Sequence, residues 1–563
     1  MQKKTVKKEI KISREKTSKI IDKIINGSIS VPSFQRDYVW TKKKIERFLN
    51  SLINFEPFGT ILLWSPNDKN TNLGFKNEII ESLKDKNKIS DSFLIDGQQR
   101  LTSLILIRYF QKLKNNNTKS LTKIKPKGWN LGELIKFDYK NNEFIIVKKN
   151  DKQTHLINSD ILWEEEFDHE KIRNIISLNN TDSHESSKIA DRINNLVNNI
   201  KQIESSIINL EGHSLDEVIT IFSNVNNQGT KLTTFDLVHA KWSVFKQIDG
   251  SYFELKDKIT NITKNWQSGY DKLNTSIFID CLYLFLDDSG APIFTSEQKI
   301  GFNIEDWEIE KVINKFEAAK KAYEKTYKFL SETMAMQHNF LPSDIIVKWL
   351  TYFFHKSTKN IHGHQTDIIK EYIKLSCINN RYRSSTLEKL KKDISFVESV
   401  LLSDDPYQSW KSYNKKKLFK SEEITEEQVL DITYKENSMM AKYIKYILYN
   451  QTESFATGTK HSFTASTDMH HIFPKNCEYV KTNKVDKELV NSIVNLTPLN
   501  KTENQIIGSK NPSVYYEELE KTSRIGFEEN LKKHGINSEF LKNNNFDGLI
   551  EYRKTYISNL VNK

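Results

Sequence analysis

Cysteine is scarce in this chain of 563 residues: three occur, Cys281, Cys377 and Cys477, far apart in sequence. No Cys-x-x-Cys pair exists, so neither a structural zinc nor a disulfide framework is indicated, and the usage points to a reducing, cytoplasmic compartment. Cys477 reads as a buried apolar thiol. Long hydrophobic runs are also missing. Ile277 to Leu286 is apolar but too short to span a bilayer, so it reads as a buried helix and no membrane partner is expected. The basic N-terminus has no apolar core of the secretory-signal kind. There is no sequence repeat, and no Gly-x-x-x-x-Gly-Lys-Ser/Thr, which excludes a P-loop nucleotide site.

What the chain does have is charge and length. Hydrophobic residues make up 37% and charged residues 28%, which suits a soluble globular protein with two to four cores. The net charge is +11, an excess that favours a polyanionic partner and speeds its encounter.

The densest chemistry lies near the C-terminus. Asp468-Met469-His470-His471-Ile472-Phe473-Pro474 is followed by Asn495 in Asn495-Leu496-Thr497-Pro498-Leu499, and then by Asn504. His470 to Pro474 reads as a short strand ended by proline, and Asn491 to Leu499 as a second extended stretch. Asn500 with Glu503 reads as a helix N-cap with its capping-box partner, and Gly508 as the end of that helix. A neutral imidazole accepts a proton from water near pH 7, and a second imidazole with amide oxygens can ligate a hard cation. Asp468 lies two residues before His470, on the same face of an ideal strand, as a further ligand or as a partner of a ligand. Neighbouring strand residues point to opposite faces, so the roles of His470 and His471 are open to exchange. A structural pair of histidines with turn asparagines is the alternative.

A second unit is strand, tight turn, helix. Phe93-Leu94-Ile95 leads into Asp96-Gly97-Gln98-Gln99-Arg100, and Leu101 to Phe110 has helical apolar spacing. A helix N-terminus favours phosphate, Gly97 allows close backbone approach, and Arg100 can grip an oxyanion with two parallel bonds. The plain alternative is a β-to-α turn with a surface arginine.

The first motif resembles the His-Asn-His (ββα-metal) nucleases. That resemblance implies His471 as the general base, Asn495 as the residue that orients it through a hydrogen bond, and His470 and Asn504 as ligands of Mg²⁺ or Mn²⁺, with Asp468 in the catalytic set. Asp96-Gly97-Gln98-Gln99-Arg100-Leu101-Thr102 resembles the signature of the N-terminal domain of GmrSD-type restriction enzymes, which is similar to the ParB and sulfiredoxin fold. Two more blocks agree: Val31 to Trp40, continuing to Pro57-Phe58-Gly59-Thr60, and Ile221-Phe222, Asn226, Gly229, Leu232 and Asp236. The resemblance implies binding of a nucleoside triphosphate, GTP or ATP, by Asp96, Gly97, Gln98, Gln99, Arg100, Gln35 and Arg36, with Asn226 and Asp236 as site or packing residues.

The expected fold is an α+β multidomain chain: a ParB/sulfiredoxin-like nucleotide-binding and sensor domain over 1–240, a helical middle over 241–435, and a ββα-metal nuclease over 436–563. Thr60 to Trp64 and Phe93 to Ile95 are predicted strands, and Ile135 to Lys148 a hairpin. Trp307–Leu330, Ser343–His355 and Thr366–Ile378 are predicted helices. Asn179–Ser187 is expected to be a polar loop, Gln451–Ser466 a mobile segment, and Lys415-Lys416-Lys417 either a phosphate patch or a solvated loop. The expected function is an antiphage, modification-dependent (type IV) DNA endonuclease regulated by NTP, acting on modified phage DNA and possible as a homodimer. The alternatives are a phosphorothioate-sensing NTPase-nickase, a DNA-binding NTPase switch without cleavage, and an RNA-directed nuclease.

Overall fold

The computed structural model describes residues 8–32, 35, 38–54, 56–66, 90–116, 133–148, 155–159, 174, 176, 183–214, 217–218, 221, 242, 253, 255–273, 275–286, 309–357, 361–433, 435–460, 468–523 and 526–563. The chain divides into one unit of Met1–Leu255 with Glu297–Ile304, and a second of Lys256–Ser296 with Glu305–Lys563. The segments expected as a helical middle and a C-terminal domain both fall mainly in the second.

In the first unit the elements run β1 (Glu9–Lys16), α1 (Thr17–Ile25), β2 (Ile29–Ser30), α2 (Lys42–Ile53), β3 (Ile61–Ser65), β4 (Ser92–Asp96), α3 (Gln98–Asn116), β5 (Glu133–Asp138), β6 (Glu143–Lys148), β7 (Leu156–Asn158), α4 (Ser183–Gln202) and β8 (Glu204–Glu211). A mixed five-stranded sheet has the order β1-β8-β3-β4-β2, and an antiparallel three-stranded sheet the order β6-β5-β7. Strand β4 lies inside the sheet, between β3 and β2, and Phe93, Leu94 and Ile95 are all buried, which is why its apolar residues run without alternation. Ile20, Ile24, Leu49, Leu52, Leu104, Ile105, Ile193 and Val197, from α1 to α4, join Ile61, Leu63 and Leu94 in one core. Helix α4 begins at Ser183, so part of the expected polar loop is helical; its apolar residues recur at helical spacing from Ile189 and bury one face.

The second unit is mostly helical. Helices α5 (Thr275–Leu286), α6 (Ile309–Lys328), α7 (Asp344–Lys356), α8 (Gly363–Ile378) and α9 (Thr386–Phe396) precede α10 (Met439–Gln451). Ile277, Phe278, Leu282 and Phe285 of α5 are buried as its composition requires, and α5 packs on α6 and α7. Lys415 pairs with Glu371 at 2.7 Å and lies over the Trp410 ring, so this lysine of the expected phosphate patch is engaged within the protein.

Then come β9 (Asp468–His471), α11 (Lys487–Asn491), β10 (Leu496–Leu499), α12 (Lys501–Ile507) and the C-terminal α13 (Phe546–Asn562). Strands β9 and β10 form a two-stranded antiparallel sheet. Residues 491–495, expected to be extended, instead end α11 and make a short 3₁₀ turn, because the Ser492 side chain caps Val494 N–H. Arg553 of α13 is fully buried and donates to the carbonyls of Val494 at 2.5 Å, Leu496 at 2.6 Å and His534. Burial pushes its guanidinium down to about 10, so it stays charged at neutral pH, with carbonyl dipoles in place of water.

Replacing Arg553 with Met would leave those carbonyls buried without their donor. Arg553→Met is therefore expected to lower unfolding stability by about 3 kcal/mol or more. A denaturant-unfolding curve within about 1 kcal/mol of wild type would contradict this role.

Candidate functional site

Each of the two sequence motifs builds a local arrangement within its own unit. In the second, β9 pairs with β10 in the register His471–Leu496, His470–Thr497, Met469–Pro498 and Asp468–Leu499. Pro498 can sit there because each strand of a two-stranded sheet has a free edge. The register has no shift, so His470 shares a face with Thr497 and His471 with Leu496. The Asp468 side chain lies outside the described residues, although its backbone is part of β9.

Asn500 caps α12 by accepting from Glu503 N–H at 2.9 Å, and the Glu503 carboxylate accepts from Asn500 N–H at 3.2 Å. Its other oxygen accepts from Ser454 Oγ at 2.7 Å and Ala456 N at 3.1 Å. The start of the segment expected to be mobile is thus tied down: Thr452, Ser454 and Phe455 are buried, anchored by a carboxylate that the capping box had already placed. Gly508 ends α12 at φ +52°, and Asn504 stands half-buried on that helix.

His471 is half-buried. Its Nε2 lies 3.3 Å from Asn491 Oδ1. Burial lowers its pKa, the hydrogen bond to Asn491 opposes that shift, and the charges of Lys475 and His470 add to it, so the neutral ring is favoured. Asn495, expected to orient this ring, does something different. It is fully buried, and both amide protons go to backbone carbonyls, Phe473 O at 3.0 Å and Val490 O at 2.9 Å. Its Oδ1 accepts from Phe473 N at 2.9 Å, and its backbone carbonyl from Ile472 N at 2.8 Å. Asn495 therefore shapes the turn that follows His471, and among the described residues Asn491 stands at the imidazole's Nε2. Sequence reading missed Asn491; in so Asn-rich a chain, nothing but its place in the fold distinguishes it.

Among the described residues, no group of three or more His, Cys, Asp or Glu side chains could hold a metal ion. His470 stands on β9 and Asn504 on α12; an imidazole nitrogen with an amide oxygen would suit a hard cation only if further oxygens or waters completed the set.

In the first unit, β4 ends at Asp96 and α3 begins at Gln98 across Gly97, whose φ of +101° an L side chain rarely adopts. Gln35 Nε2 donates to Ile95 O at 2.7 Å, Gln99 Oε1 accepts from Val39 N at 2.9 Å, and the hydroxyls of Tyr38 and Ser103 meet at 2.7 Å. Two blocks 60 residues apart are stitched together by these bonds. Arg100 is occupied in the same way. Its guanidinium donates to Phe58 O at 2.7 Å, Thr60 O at 2.6 Å and Asp96 Oδ2 at 3.2 Å, and burial lowers its pKa against the pull of Asp96. The expected oxyanion clamp is here a clamp on the 58–60 loop. Gln98 differs: it is buried, and its Oε1 has no hydrogen-bond partner among the described residues. Arg36, Asn226 and Asp236 lie outside the described residues.

Gly59 sits at φ +93°, and a Cβ there would fall 2.0 Å from Arg100 Nη1. Gly59→Ala should displace the guanidinium and destabilise the protein by roughly 1–3 kcal/mol. An unchanged thermal midpoint would show that the loop does not depend on this clamp.

Comparison with known proteins covers both arrangements. Residues 17–243 match the N-terminal domain model of the GmrSD restriction endonucleases, and residues 419–557 match the C-terminal domain model. An uncharacterised protein of Methanocaldococcus jannaschii is 25% identical over 579 residues, spanning 93% of this chain and 91% of its own. Both domain models match in order, and each takes in one of the two motifs: the chain belongs to the GmrSD restriction endonuclease family.

Proposed function

We propose that this restriction endonuclease cuts DNA at a metal-assisted centre built on β9, β10 and α12, under the control of a nucleoside triphosphate bound at the N-terminus of α3. The observation that carries the cutting reading is His471, a half-buried ring favoured in its neutral form and held at Nε2 by Asn491. The order strand, strand, capped helix around it supports a ββα-metal arrangement.

In this reading His471 is the general base. It takes a proton from a water that attacks phosphorus; the bond to the 3′ or 5′ bridging oxygen breaks, and that oxygen leaves with the electron pair. His470 and Asn504, with Asp468 as a third candidate, would hold Mg²⁺ or Mn²⁺. The bound ion supplies charge stabilisation to the phosphate and the departing oxygen. Asn495 keeps the turn after His471 in shape and touches no substrate.

The NTP reading, GTP or ATP, rests on the turn at Asp96–Gln98. The first turn of α3 presents backbone N–H groups, Gly97 makes the tight turn into it at φ +101°, and Gln98 is buried with an Oε1 that meets no hydrogen-bond partner among the described residues. Gln35, Gln99 and Arg100 then act by holding the turn. We assign modified phage DNA, carrying hydroxymethylated or glucosylated cytosine, as the substrate. The excess of positive charge supports a polyanionic substrate.

The test is cleavage of matched DNAs, unmodified, glucosyl-hydroxymethylcytosine and phosphorothioate, with Mg²⁺ or Mn²⁺ and with or without GTP or ATP. Cutting is expected on the cytosine-modified DNA and is expected to vanish with EDTA. His471→Ala should reduce the rate by about 10²–10⁴-fold while NTP turnover persists. Wild-type cutting by that variant would sink the assignment. Asn504→Ala should raise the metal concentration for half-maximal activity about tenfold or more. Identical metal titrations for variant and wild type would remove Asn504 from the ligand set.

A further inference from the structure

The imidazole of His471 has two nitrogens, and only the one without a proton can act as a base. The contact with Asn491 bears on which one that is. The Asn491 side chain is oriented by its own second bond: Nδ2 donates to Lys487 O at 2.7 Å, which turns Oδ1 toward the ring. An amide oxygen only accepts, so the ring nitrogen 3.3 Å away, Nε2, carries the hydrogen. Nδ1 is then the lone-pair nitrogen.

The backbone beneath Asn491 is held from both sides. Asn495 Nδ2 grips Val490 O at 2.9 Å, one residue before it. Ser492 Oγ donates to Leu430 O at 2.6 Å, one residue after it, and Ile493 N donates to Ile432 O at 2.7 Å. Asn491 thus stands at the end of α11 with the backbone on both sides of it held, and its side-chain amide is set by the bond to Lys487 O.

We propose that Asn491 is the positioning residue of the cutting centre, holding His471 in the Nε2–H tautomer so that Nδ1 receives the proton. The proposal rests on the nuclease reading for its catalytic meaning, but the tautomer itself is measurable without DNA. No covalent step belongs to Asn491: it accepts one hydrogen bond from the ring and donates one to the helix.

The experiment uses the full chain, labelled with ¹⁵N-histidine, with the His471 signals identified by their loss in His471→Gln. In two-bond ¹H–¹⁵N spectra the unprotonated nitrogen resonates downfield, and its couplings tell Nδ1 from Nε2. Wild type is expected to show Nε2–H. Asn491→Ala should shift His471 to a mixture or to Nδ1–H, and lower kcat about 10–100-fold with KM within about twofold, since a base in the wrong tautomer loses up to about 10⁴ in kcat. Asn491→Asp, which retains an acceptor, should keep the Nε2–H pattern and recover most of the rate. A wild-type spectrum of the Nδ1–H form, or an Nε2–H pattern that survives in Asn491→Ala, overturns the proposal whatever the rates. If His471→Ala still cuts, the nuclease reading fails instead, and the spectra continue to decide the contact with Asn491.

Discussion

Much of the second unit's candidate site hangs on one buried amide. Asn495 has no exposure to water, and all of its side-chain hydrogen-bonding atoms are met by backbone: the N–H and carbonyl of Phe473 and the carbonyl of Val490. A buried polar group is tolerable only when satisfied, so this network settles together or not at all. It joins the turn after β9 to the end of α11, and so brings His471 and Asn491 within reach of each other. Arg553 grips the carbonyls on either side of Asn495, which makes the last helix of the chain part of the site's foundation. The backbone around one asparagine is held from the side by a guanidinium and from within by its own amide.

The first unit uses the same device with different residues. Gln35, Gln99 and Arg100 resemble ligand-binding side chains when read in sequence, yet their hydrogen bonds go to Ile95, Val39, Phe58 and Thr60. Their work is to bring three blocks of chain around the start of α3. Gln98 differs from them: its buried oxygen meets no hydrogen-bond partner among the described residues. A signature of polar residues thus includes members whose hydrogen bonds go to the protein's own backbone.

Local chemistry made much of the fold legible. The apolar run before Asp96, the capping box at Asn500 and Glu503, Gly508 as a helix end and the hairpin over 135–148 depend on neighbours a few residues apart, and each appears in the structure. The loop expected over 179–187 and the mobile segment expected after Gln451 depended on distant partners. In the first, a helix extends to bury its apolar stripe; in the second, Glu503 reaches back across 49 residues to Ser454.

By itself the sequence determined the elements and the chemical kinds: an α+β chain, two adjacent histidines on a strand, an asparagine on the capped helix that follows, and a glycine turn at a helix start. Those follow from propensity, capping and the absence of alternative motifs, all of which act over short range. Only the tertiary structure decided the jobs. It moved Asn495 from the imidazole to the turn, set Asn491 against His471, and committed Arg100 to carbonyls. The physical reason is that a side chain's role depends on which donors and acceptors are buried beside it, and those arrive from residues tens of positions away.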